Sequence, residues 1–152
     1  MFLKEYQIKV VGELKRFFQT AREKKDAIET ARKALPENMR RTLNWVQSTF
    51  ANLNKPYNDI SINGFGNYYP RVCIKVPTGG GKTLLAVEAI REYKNLFVQK
   101  RTGLVVWIVP SETIYSQTVN KLRDRGNYLR QLLDQCSGGK TIILGKGQRL
   151  RV

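Results

Sequence analysis

Apolar positions in the first third of the chain recur at three- and four-residue steps: Leu3, Tyr6, Val10, Leu14, Phe17, Ala21, Ile28, Ala31 and Leu35, with a charged gap at Lys24. That spacing predicts a long amphipathic helix. Pro36 should end or bend it, because proline lacks the N–H and clashes with the preceding turn. A second stripe, Met39, Leu43, Val46, Phe50 and Leu53, leaves Arg40, Arg41 and Asn44 off the seam. It predicts a second helix packed back on the first, a helical hairpin. Residues 54–70, "NKPYNDISINGFGNYYP", gather Asn, Gly, Pro and Tyr without a period and read as a loop.

Past this loop the pattern alternates. "RVCIKV" at 71–76, "LVVWIV" at 104–109 and "TIIL" at 141–144 are short β-branched runs that predict buried strands. Between them, "KTLLAVEAIREYKNLFV" places Ala86, Ile90, Tyr93 and Phe97 on one helical face, and "SETIYSQTVNKLRDRGNYLRQLLDQC" is helical with an interruption near Gly126. Strands alternating with helices imply an α/β fold with a parallel sheet and right-handed crossovers. The expected organisation is a helical segment over 1–55 and a sheet-forming part over 56–152.

Charge narrows the partner class. Lys and Arg number 27 against 12 Asp and Glu, giving a formal charge of +15 over 152 residues. Such an excess attracts polyanions, nucleic acid foremost. From Arg101 to Arg151 the chain carries those two with Lys121, Arg123, Arg125, Arg130, Lys140, Lys146 and Arg149 between, against Glu112, Asp124 and Asp134. Binding carried by such a segment should be sequence-independent and fall steeply with salt. The chain has no histidine, which excludes a His-based triad or a His-ligated metal within it, and Cys73 and Cys136 stand far apart in no zinc-like grouping. The charged N-terminus lacks a signal-peptide core, and no window approaches a membrane span, so a cytoplasmic setting is expected.

The chemistry concentrates in "VPTGGGKT", Val76 to Thr83, between a predicted strand and a predicted helix. A phosphate-binding loop needs backbone N–H groups turned inward, a lysine for the terminal phosphates and a hydroxyl for the magnesium ion. Pro77, Thr78, Gly79, Gly80 and Gly81 supply the backbone, Lys82 the charge and Thr83 the hydroxyl, and the following helix aims its positive end at the same point. Val76 stands where the strict pattern has its first glycine. That position closes the strand and need not touch phosphate.

"VPTGGGKT" resembles motif I of superfamily 2 helicases and translocases. "LKEYQ", Leu3 to Gln7, resembles an element upstream of motif I in the branch containing restriction-enzyme motors, and "VVWIVPSETIYSQTVNKLRD" resembles motif Ia. The wording around these motifs most resembles the motor subunit of type III restriction enzymes and related DEAD/DEAH-type proteins. The resemblance implies a RecA-like P-loop domain, ATP and Mg2+ as cofactors, DNA as partner and a modification methylase as a candidate second partner. It gives Gln7 the adenine, Lys82 and Thr83 the phosphate, magnesium and catalysis, and Pro110, Ser111 and Thr113 the nucleic-acid path. Other readings stay open for two of these residues: Gln7 as a surface glutamine, and Ser111 as the cap of the helix that follows.

Hydrolysis in this class also needs a later acidic pair and an arginine finger. After motif Ia the acids Asp124 and Asp134 lie within a helical pattern and follow no apolar strand. The expectation is therefore the N-terminal part of a first motor domain, cut before motif II, that binds nucleotide poorly and turns it over hardly at all. In such a partial sheet the predicted strands would keep long unpaired edges. The alternative in another class is a stand-alone nucleic-acid-binding module with a vestigial P-loop. A small-molecule kinase explains neither the charge nor the motif Ia likeness.

Overall fold

The computed structural model describes residues 3–40, 42–57 and 62–149. The helices are α1 (Glu5–Ala34), α2 (Glu37–Arg40), α3 (Trp45–Asn52), α4 (Lys82–Glu92), α5 (Glu112–Arg123) and α6 (Tyr128–Ser137), and α4 runs on into a π-helical turn, Tyr93–Val98. The apolar periods found most of these. α1 stops one residue before Leu35 and Pro36. The break near Gly126 is built from local bonds: Asp124 Oδ1 accepts the Gly126 N–H at 2.9 Å, and Asn127 caps α6 by accepting the Leu129 N–H at 3.0 Å.

The expected α/β fold with a RecA-like parallel sheet is not what the chain forms. Among the described residues there is no strand, and β-pairing is confined to one isolated antiparallel bridge between Ile62 and Tyr68. The runs 71–76, 104–109 and 141–144 form no ladder, and Leu104, Val106 and Ile108 are 87%, 75% and 87% exposed. Trp107 and Ile143, by contrast, pack against a helical core. These two turn toward helices, whereas Val72, Ile74 and Val105 are 49%, 38% and 51% exposed, and the bonds that the Thr141 and Ile143 carbonyls accept come from the Arg130 and Arg123 side chains, not from a neighbouring strand. A β-branched run encodes extended geometry locally, whereas a ladder needs a neighbour in register.

Two apolar clusters hold the helices. Phe17 and Ala21 of α1 meet Trp45, Val46 and Leu53 of the α3 region and Phe97 of the π turn. Leu84 and Val87 of α4 meet Leu122 of α5 and Leu129, Leu132 and Leu133 of α6. The helix formed by α4 and the π turn contributes to both. The face expected on it is rotated, however: Leu84, Leu85, Val87 and Glu88 are buried, while Tyr93 is exposed. The i→i+5 turn begins only at Tyr93, so it bears on the residues after it, where Phe97 reaches the core. The seam of α1 likewise runs through Gln7, Val11, Leu14 and Phe17 rather than through Tyr6 and Val10. The second stripe begins late, since Met39 is exposed and α3 starts at Trp45.

Buried charge is paired. Glu88 is 2% exposed, and Arg91 Nη2 lies 2.8 Å from it and 2.7 Å from Glu92, whose carboxylate also faces Lys15 of α1 at 3.7 Å. Arg130 is the second such anchor. It pairs with Asp134 at 2.9 Å and donates to the Leu122 carbonyl at 3.2 Å and the Thr141 carbonyl at 2.7 Å, tying α6 to the end of α5 and to the 141–144 run. Burial pushes the Asp134 carboxyl upward, but hydrogen bonds from Arg130 and Thr141 and the charges of Arg130 and Arg125 outweigh it and hold it below its ordinary value.

Arg130→Ala should therefore cost about 3 kcal/mol by denaturant titration at neutral pH, since it strands a carboxylate and two carbonyls. The Asp134 pKa is depressed on folding, so its contribution is present above the ordinary carboxylate value and is lost as pH falls through the depressed one. The deficit of the Arg130→Ala protein should accordingly shrink in acid. A deficit under about 1 kcal/mol at neutral pH would contradict the anchoring role.

Candidate nucleotide site

The loop before α4 is built around glycine backbone. Gly79 and Gly81 adopt φ of 74° and 77°, the left-handed region, and Gly81 is the residue that starts α4. The Gly80 N–H donates to the Pro77 carbonyl at 3.0 Å and the Leu85 N–H to the Gly81 carbonyl at 3.0 Å, closing the turn and the first helical bond. Gly80 is buried. A Cβ placed on it would lie 2.6 Å from Val76 Cγ1, 2.9 Å from the Pro77 oxygen and 3.3 Å from Tyr6 Oη. Val76, which stands where the strict pattern has glycine, thus packs its side chain on the loop's own backbone. Lys82 lies exposed with Nζ donating to the Pro77 carbonyl at 3.2 Å, and Thr83 follows half-buried in the first turn of α4.

The N-terminus of α1 reaches this loop across the chain. Tyr6 Oη donates to the Gly80 carbonyl at 2.6 Å, and Gln7 Nε2 donates to the same oxygen at 3.1 Å and to Tyr6 Oη at 3.3 Å. Gln7 Oε1 accepts the Lys4 N–H at 2.9 Å, the half of a capping box that a glutamine supplies. These bonds fix the amide's orientation, since a carbonyl must face an N–H and an NH2 must face the Gly80 oxygen. Gln7 is 5% exposed and is no ordinary surface glutamine. A Cβ on Gly81 would lie 2.6 Å from its Nε2.

The structure therefore brings Gln7 together with Pro77, Thr78, Gly79, Gly80, Gly81, Lys82 and Thr83. Pro110, Ser111 and Thr113 lie elsewhere, exposed at the start of α5, where Ser111 Oγ accepts the Ile114 N–H at 3.3 Å and so caps the helix. Sequence reasoning missed Tyr6 as a loop contact, since its place on an apolar stripe marked it for the core. It also missed Glu88, whose charge hid its burial. Among the described residues no group of three or more carboxylate or cysteine side chains could hold a metal ion. An open apolar groove of about 620 Å³ between 101–109, 140–144, α5 and α6 lies apart from the glycine loop.

Gly80→Ala should lower stability by about 1–3 kcal/mol, because the added methyl meets backbone as well as side chain. Gly64→Ala, with nothing within 4 Å of its Cβ, is the matched control and should be near neutral. Denaturant titration reads both, and a Gly80→Ala protein as stable as the parent would contradict the packing of this loop.

No curated protein and no solved structure matches the chain. Residues 1–143 match the family described as type III restriction enzyme, res subunit. The match runs through the "LKEYQ" element, the glycine loop and the start of α5. The chain belongs to the type III restriction enzyme res subunit family, whose members carry an ATP-dependent helicase-like motor domain.

Proposed function

We propose that this chain binds Mg–ATP at Gly79 to Thr83 and meets the DNA backbone at the start of α5, as part of an ATP-dependent DNA translocase of the restriction type. The observation that carries the nucleotide half is the left-handed glycine pair at the N-terminus of α4, with Lys82 one residue on. A phosphate would meet backbone N–H groups, the positive end of the helix and an ammonium at one point. The cradle fits such a group because Gly80 leaves no room for a side chain and, among the described residues, the Lys82 ammonium is held only by the Pro77 carbonyl at the loop's mouth.

In this reading Pro77 and Thr78 shape the turn, Gly79 to Gly81 present their backbone, Lys82 neutralises the terminal phosphates and Thr83 gives its hydroxyl to Mg2+. Mg2+ keeps several waters and takes few protein ligands beside phosphate, which suits a site without a carboxylate cluster. When bound, Mg–ATP supplies the phosphoanhydride whose hydrolysis powers a motor of this family. Gln7 is the candidate for the adenine edge. Its carboxamide is already committed to Lys4 and Gly80, so recognising the base means exchanging the bond to Gly80. Base binding and the α1–loop contact are then linked. Pro110, Ser111 and Thr113 are exposed where a phosphate backbone could run, and Ser111 serves there as both cap and contact.

Lys82→Ala should abolish Mg–ATP binding in calorimetry while leaving the melting temperature unchanged, since the side chain is exposed and makes one backbone bond. Equal affinity in parent and variant would remove the nucleotide reading and leave a basic module with a vestigial loop.

A further inference from the structure

The second glycine–lysine stretch, "GKGQ" at 145–148, is as deliberately held as the first, and neither the nucleotide reading nor the start of α5 uses it. Two side chains of α5 fasten it. Tyr115 Oη accepts the Lys146 N–H at 2.6 Å, and Arg123 Nη2 donates to the Gln148 side-chain oxygen and, at 3.5 Å, to the Ile143 carbonyl. The Gln148 oxygen also accepts the Gly145 N–H at 2.8 Å, and the Gln148 N–H returns to the Gly145 carbonyl at 3.1 Å. Gly145 fits closely, because a Cβ on it would lie 2.5 Å from Tyr115 Oη and 3.0 Å from Arg123 Nη2.

What this fastening displays is positive charge. Lys146 and Arg149 are exposed, and among the described residues neither has a carboxylate partner. Lys121 and Arg125, exposed on and just after α5, extend the same charge. Of the nearby acids, Asp134 is held by Arg130 and Asp124 accepts the Gly126 N–H, which leaves Glu112 on the first turn of α5. The fastening points, Tyr115 and Arg123, are eight residues apart on one helix, about 12 Å at 1.5 Å per residue. A DNA strand carries a phosphate every 3.4 Å of axis, so this edge spans about three phosphates. It also begins one helical turn beyond Ser111.

We infer that the 145–149 loop is a phosphate-backbone contact for duplex DNA, with Lys146 and Arg149 as the contacting cations and Tyr115, Arg123 and Gln148 as the residues that position them. This rests on the proposed DNA role and extends it from the start of α5 along the helix. A loop whose charges merely solvate the surface would need no such fastening. Phosphate contacts fix register without reading sequence, so no base preference is implied.

The test is fluorescence anisotropy with a labelled 20-base-pair duplex of arbitrary sequence, titrated with the full chain across a series of KCl concentrations. Each lost phosphate contact should reduce the slope of log K against log salt by about 0.9, so Lys146→Ala with Arg149→Ala should reduce it by about 1.8 and weaken binding about tenfold at low salt. Tyr115→Phe keeps every charge, and it should weaken binding severalfold while calorimetric Mg–ATP affinity stays at the parent value. Salt-sensitive binding by the parent with an unchanged slope in the double variant would overturn the loop's role and leave the DNA reading standing. No binding by the parent at any salt would overturn both.

Discussion

The carbonyl oxygen of Gly80 is the point on which this molecule turns. It accepts hydrogen bonds from Tyr6 and Gln7, residues 74 and 73 positions away along the chain. A buried carbonyl without a donor is costly, so the glycine loop can close over itself only if α1 arrives with those two groups in place. The helix is positioned in turn by the aromatic cluster around Phe17, Trp45 and Phe97 and by Lys15 facing the buried Glu92. Packing far from the loop thus determines where Tyr6 and Gln7 stand. Because one glutamine carboxamide caps α1 and grips Gly80, helix entry and loop geometry form one unit.

Charge is distributed as unevenly as packing. Among the described residues, Glu5, Glu13, Asp26, Glu29, Glu88 and Glu92 all find cationic partners within the first 92 residues, and only Asp134 does so beyond them. The first part of the chain spends its carboxylates on helix pairs and on the contact between α1 and α4. In the later part Arg130 is buried and paired, while Lys121, Arg125, Lys146 and Arg149 are exposed to solvent or a polyanion. A uniform +15 would be a statement about solubility; this asymmetry gives the charge a direction, along α5 and the loop it holds.

Local chemistry was legible in the sequence, and pairing was not. Pro36, the interruption near Gly126 and the apolar steps of α1 announced helices and their ends, because breaks and periods are properties of a few adjacent residues. "PTGGGKT" announced a turn ahead of a helix for the same reason. The parallel sheet failed because 71–76, 104–109 and 141–144 each encode an extended shape, while a ladder depends on what lies beside them. The π turn at Tyr93–Val98 left no mark in the sequence, and the charge of Glu88 gave no sign that it would be buried. Gln7 could be named from its motif, but its hold on Gly80 is a contact across 73 residues that no window contains. The sequence showed Lys146 and Arg149 only as members of a basic segment, because the holds that Tyr115 and Arg123 place on the 145–149 loop are contacts between residues 25 to 31 positions apart.

The central claim is that Gly79 to Thr83 and the first turn of α1 act together as one nucleotide-binding unit. Amide hydrogen exchange with and without Mg–ATP tests it most directly. The account predicts that added protection concentrates in two segments remote in sequence, the glycine loop with the first turn of α4 and the residues around Tyr6 and Gln7, and leaves the apolar groove at 101–109 unchanged. Protection confined to that groove, or protection of the glycine loop with no response at Tyr6 and Gln7, would contradict it.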